Sequence, residues 1–275
     1  MAPFKNKVQL YFLVLLVCLI IPVKGFSDDT LVTNRLPVKT ITLAVASNFS
    51  KMMSEIAILF EQKYQDSQLI VVSGSSGKLY AQIHHGAPYD VFLSADQDKP
   101  GRLIKEGLAI ETSQFTYASG VLVLWSANAT LIDNSADILK SNAFKKLALA
   151  NSKLAPYGLA AEQVLNSMGI KDRTRAKWVQ AENIAQAYQF VASKNAEIGF
   201  VAKSQVWEAG RLKHGSAWLI SPEFYSAIKQ DAVILKKTNN MELSLQLMNF
   251  LQSESVLNML EQNGYQTNSK KSKSL

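Results

Sequence analysis

Thr40-Ile41-Thr42-Leu43-Ala44-Val45-Ala46-Ser47-Asn48-Phe49 decides how the chain is read. An apolar run ends in small residues, and Phe49, Met52, Met53, Ile56, Leu59 and Phe60 then recur at the spacing of one helix face. A strand therefore feeds a helix, and Ser47-Asn48 stands at the junction. Downstream the alternation repeats: Leu69 to Val72 before a helix from Gly77, Val91 to Leu93 before Pro100 to Glu106, and Leu147 to Ala150 before Tyr157 to Met168. Ala176 to Val179 precedes Ile184, Ala187, Tyr188 and Val191, and Ile198 to Val201 precedes a short helix through Val206-Trp207. Repeated βα units predict an α/β fold of parallel-rich sheets flanked by helices, with its site at the carboxyl ends of the strands.

Phe115 to Trp125 and Ser226 to Leu235 are β-rich but break this rhythm. Read as crossovers, they divide the chain into one lobe of residues 40–118 plus 227–265 and a second of 119–226, with a ligand cleft at the hinge. The terminal helices around Met241 to Leu251 and Val256 to Leu260 then pack on the first lobe. A single sheet made of the same elements is the alternative that periodicity leaves open.

The ends of the chain follow another logic. Lys5 and Lys7, an apolar run from Leu10 to Val23, and small residues at Gly25 and Ser27 have the three regions of a secretory signal peptide. The run is shorter than the ~20 apolar residues of a membrane span. Residues 1–27 are therefore expected to be removed on export to the periplasm. The lone Cys18 lies in this segment, so the mature chain has no cysteine for a disulfide or a thiolate metal site. Residues 266–275 read as a disordered polar tail. The formal charge of +7 includes Lys5, Lys7 and Lys24 at one end and Lys270, Lys271 and Lys273 at the other, which leaves the body near +1. No basic face for nucleic acid remains.

Enzymatic readings of the polar junctions fail on spacing. Ser75-Ser76-Gly77-Lys78 lacks the first Gly and the final Ser/Thr of a phosphate-binding P-loop, since Val72 and Leu79 stand there. It also lacks the second Gly of a nucleophile elbow, because Lys78 occupies that place. Neither His84 and His85, read as capping a helix end, nor His214 belongs to a metal-binding or triad pattern. What recurs is the junction itself: Ala46-Ser47-Asn48, Gly74-Ser75-Ser76-Gly77, Pro156-Tyr157-Gly158 and Glu182-Asn183-Ile184. Helix starts carry N–H groups without intrahelical partners and a partial positive charge, so several converging on one cleft make an oxyanion receptor. Ordinary N-capping explains each junction when it is taken alone.

Read together, these motifs resemble the periplasmic molybdate-binding proteins, the soluble receptors of molybdate ABC transporters, from about Thr40 to Tyr265. The likeness is carried by Ala44 to Phe49, Ser73 to Ile83, Gly86 to Asp96, Leu154 to Gly158, Glu182 to Gln186 and Glu197 to Ala202. It implies a two-lobed type II periplasmic-binding-protein fold that closes on molybdate or tungstate and presents it to an inner-membrane permease. It implies a monomer without catalysis, cofactor or direct cation ligand, the molybdenum being held as its oxyanion. Carried over by position, Asn48 and Ser76, with Ser47 beside them, would donate from the first lobe, and the main-chain N–H groups of Tyr157 and Ile184 from the second. Some members add a tyrosine hydroxyl where Ala202 stands here, and the Asn48 amide is expected to replace it. A receptor for sulfate or thiosulfate would use the same physics, and a periplasmic ester hydrolase with Ser76 as nucleophile lacks an accompanying base or metal set.

Overall fold

The strand at Lys39–Ala46 turns Ile41, Leu43 and Val45 to one side of its sheet and Ala44 to the other, all fully buried. Strands covered on both faces read as continuous apolar runs, and complete burial of such side chains stabilises by about 1.5–3 kcal/mol each. The computed structural model describes residues 37–141 and 143–267; the predicted signal peptide and most of the predicted tail lie outside them. No helix among the described residues is long and apolar enough to cross a membrane.

The chain begins with β1 (Lys39–Ala46), α1 (Ser50–Lys63), β2 (Ser67–Gly74), α2 (Ser76–His84), β3 (Val91–Leu93), α3 (Asp98–Lys105) and β4 (Phe115–Gly120). It continues through β5 (Leu122–Ser126), α4 (Asp137–Ser141), β6 (Leu147–Ala150), α5 (Pro156–Ser167), α6 (Lys171–Arg175), β7 (Trp178–Ala181) and α7 (Ile184–Ala192). There follow β8 (Ile198–Ala202), α8 (Lys203–Val206), a small hairpin of β9 (Trp207–Glu208) and β10 (Arg211–Leu212), and β11 (Ser216–Leu219). Last come β12 (Ile228–Ile234), α9 (Met241–Leu251) and α10 (Glu254–Gln262).

Two five-stranded sheets result, ordered β2-β1-β3-β12-β4 and β7-β6-β8-β5-β11. Their plans correspond strand for strand. In each, the first three strands are parallel and linked by helices, as parallel neighbours require. The other two are antiparallel, β12 and β4 in the first sheet and β5 and β11 in the second. These strands lie where the chain passes between sheets and carry no helical crossover, so the sheets are mixed. Alternation recurs in the second sheet, where Leu122 and Leu124 face the cluster around α5 while Val123 and Trp125 face the one containing Val191 and Val206.

Phe115 to Trp125, apolar almost throughout, is not one strand. It divides at Val121, with Gly120 ending β4 in the first sheet and Leu122 opening β5 in the second. The return runs through the 3-10 turn Pro222–Phe224. Gln266, read from sequence as the first tail residue, exchanges two main-chain hydrogen bonds with Ser119 of β4, at 2.7 and 2.9 Å.

Candidate functional site

β1, β2, β6 and β7 each lead through a turn into a helix, and the four junctions meet at one cavity. Ser47, Asn48, Ser75, Ser76, Tyr157 and Ile184 are among the residues lining this small space, which is partly open to solvent. The five residues singled out by sequence, Ser47, Asn48, Ser76, Tyr157 and Ile184, are thus brought together. Each is buried. No lysine, arginine, histidine or carboxylate lines the space, and no group of three metal-ligating side chains occurs among the described residues.

Main-chain donors are left over at all four junctions. The N–H of Ser47 goes to Gly74 O at 2.9 Å and that of Phe49 to Ala46 O at 2.8 Å, while the N–H of Asn48 between them donates to no described residue. Ser76, Tyr157 and Ile184 lie in the first turns of α2, α5 and α7, and their N–H groups likewise have no described acceptor. Pro156 opens α5, where a missing N–H costs nothing and the ring pre-sets the helical φ. At α7 the cap is reciprocal: Asn183 Oδ1 accepts from Gln186 N at 3.0 Å and Gln186 Oε1 accepts from Glu182 N at 2.7 Å. Those bonds hold the turn while leaving Ile184 N–H for the cavity.

Hydroxyls add to this set on the first sheet's side. Ser76 Oγ accepts from Ala95 N at 2.9 Å, which fixes the side chain and leaves its proton to donate. Asn48 Nδ2 donates to Gln230 Oε1 at 2.9 Å, so one of its two amide hydrogens is engaged within the protein. A further donor at this residue is its main-chain N–H, which has no described acceptor. Ala202 is fully buried, its N–H held by Gln205 Oε1 at 2.9 Å.

Sequence reasoning missed the network beneath the cavity. Gln230 of β12 is fully buried; besides Asn48 it accepts from the Tyr117 hydroxyl at 3.0 Å and donates to the Tyr157 hydroxyl at 3.4 Å. Tyr117 shares its one proton with Ser94 O, also at 3.0 Å, and the Tyr265 hydroxyl donates to Asn48 O at 2.8 Å. Burial pushes Tyr117, Tyr157 and Tyr265 well above the usual tyrosine range, so all three phenols stay protonated. The Tyr157 hydroxyl occupies space that only glycine leaves: a Cβ at Gly120 would come within 2.1 Å of it. One signal was readable, the polar pair Gln230-Asp231 inside the β-rich run of Ile228 to Ile234.

Two contacts bridge the sheets at the mouth. Gly77 N donates to Leu154 O at 2.9 Å, where a Cβ on Gly77 would lie 3.0 Å from Leu154 Cα, and Lys78 Nζ pairs with Glu182 Oε1 at 2.9 Å. His84, expected to cap α2, instead faces Glu106 at 3.2 Å.

The comparisons accord with this geometry. The chain is 45% identical over 225 residues to the molybdate-binding protein ModA of Azotobacter vinelandii, covering 82% of this chain and 89% of that one. It is 40% identical to ModA of Rhodobacter capsulatus over 227 residues, 82% and 88% of the two chains. The solved periplasmic molybdate-binding protein of Azotobacter vinelandii superposes with a TM-score of 0.80 at 37% identity, covering 82% of this chain and 99% of that one. The profile of the bacterial extracellular solute-binding proteins matches residues 41–266, and the chain belongs to that family.

Proposed function

We propose that this protein captures molybdate, and the similarly shaped and charged tungstate, outside the cytoplasmic membrane and hands it to an ABC permease. The observation that carries this reading is the convergence of four unpaired main-chain N–H groups and the Ser47 and Ser76 hydroxyls on one small cavity without charged side chains. The kinship with two ModA proteins selects molybdate among oxyanions. Stripping water from a dianion is expensive, and hydrogen bonds to a charged acceptor return about 1.5–3 kcal/mol each. Main-chain N–H groups donate and cannot accept, which favours an oxyanion already fully ionised over one that keeps a proton.

The two sheets with their helices act as the lobes, residues 40–118 plus 227–265 and residues 119–226, turning about the crossings near Val121 and at 220–227. Closure is favoured with ligand because only then do both lobes donate, the differential contact that shifts a population. The closed monomer is the form offered to the permease, after export to the periplasm on the N-terminal signal. Isothermal titration of the purified protein with molybdate, tungstate, sulfate and phosphate tests the reading. Saturable 1:1 binding of molybdate and tungstate, far tighter than that of sulfate or phosphate, is expected. Preference for sulfate, or no heat with any of the four, would overturn it.

A further inference from the structure

We infer that the Ser75 hydroxyl is an additional donor to the bound anion, beside Ser76; this deepens the oxyanion reading and rests on it. Ser75 is the N-cap of α2, lines the cavity and is 2% exposed. Its Oγ is the one buried side-chain polar atom among the described residues without a hydrogen-bond partner. A serine at this position ordinarily accepts from the N–H two or three residues on, yet Ser75 makes no such bond. One of those two donors is engaged across the cleft: Gly77, two residues on, gives its N–H to Leu154 O at 2.9 Å, in the contact joining the two sheets.

Buried hydroxyls without partners are rare in folded proteins, because desolvation is then uncompensated. The other polar groups on this stretch of wall are N–H and O–H donors, so the useful thing Ser75 has to give is its own proton. An oxyanion supplies the acceptor. The hydroxyl thus contributes in the closed, loaded state and is a liability in the closed, anion-free state.

This reading gives Ser75→Ala two opposed effects. Molybdate affinity, measured by titration calorimetry, should fall by about tenfold or more, the scale of one hydrogen bond to a charged group. The melting temperature of the anion-free protein should equal or exceed that of the parent. Ser75→Thr, which keeps the hydroxyl, should bind within about threefold of the parent. Ser75→Gly, also competent at an N-cap, repeats the test if the alanine variant does not fold. Affinity of the hydroxyl-free variant within about twofold of the parent would overturn the assignment, as would a fall in anion-free melting temperature with unchanged affinity, the mark of a capping role. If the parent itself fails to bind molybdate, the oxyanion reading falls first, so the two failures are told apart.

Discussion

The two walls of the cavity are built to one plan and use different chemistry. On the first sheet's wall Ser47, Ser75 and Ser76 bring hydroxyls as well as main chain; on the second, Tyr157 and Ile184 send their side chains into the core and leave only N–H groups facing inward. The plan of the fold therefore places the donors, and residue identity decides only some of them. One wall should be sensitive to what a side chain is, the other to whether a backbone proton is present.

The largest effect is expected at Asn48, on the side-chain wall. Asn48→Asp introduces a negative charge at the lining; at about 4 Å and an effective dielectric near 20, each unit of like charge costs on the order of 4 kcal/mol. Even after screening, molybdate affinity should fall about a thousandfold, while Asn48→Ser, which keeps the main-chain N–H, should lose far less. Near-native affinity of the aspartate variant in calorimetry would break the first half of the comparison. Next comes Ile184 on the main-chain wall. Proline is favoured at the first helical position, and Asn183 before it is already extended at φ −147° and ψ 174°, as a residue preceding proline must be. Ile184→Pro should thus fold yet lose about 1.5–3 kcal/mol of binding, the value of one donor to a charged group. Ile184→Val should bind like the parent, and equal affinities for the two variants would remove Ile184 from the ligand set.

Tyr157→Phe separates the two roles of one residue. The N–H stays, so affinity should change by less than about threefold, while the loss of the hydroxyl beside Gln230 should lower thermal stability by about 1 kcal/mol. A large loss of affinity with stability intact would assign the phenol to the anion. The smallest effect concerns pH. With no ordinary titrating group in the wall, affinity should stay flat between about pH 6.5 and 8 in calorimetric titrations corrected for anion protonation. Stability should respond higher up. Phenols held protonated by burial keep their protons in the folded state while the unfolded chain loses them above about pH 10. The stability they contribute is complete below that value and declines as pH rises beyond it, which melting curves from pH 8 to 11 can follow.

How much of this was legible in the sequence depended on how local the signal was. β3 and β6 were read to the residue, because short apolar runs between turn residues have few other registers. β7 was placed two residues early, since Ala176 caps α6, a five-residue helix too short to show periodicity. α4 and the hairpin of β9 and β10 escaped for the same reason. The break at Val121 was hidden because both flanking strands are apolar, and Gly120 alone marks it. Ser76, Tyr157 and Ile184 were legible as helix starts, and Ser47 and Asn48 as the turn that leads into one. The turning of the Asn48 amide toward Gln230, 182 residues away, was not, because a non-local partner leaves no mark on local spacing.

A cavity walled by neutral donors also has an electrical consequence. Nothing in it cancels the charge of its guest, so capture adds two negative charges to a chain whose balance without the predicted signal peptide is about +4. The loaded protein then carries about half the net positive charge of the empty one. Native electrophoresis should resolve the two forms, and a charged surface can sort them at a distance, by the strength of its attraction within a Debye length, before any contact is made.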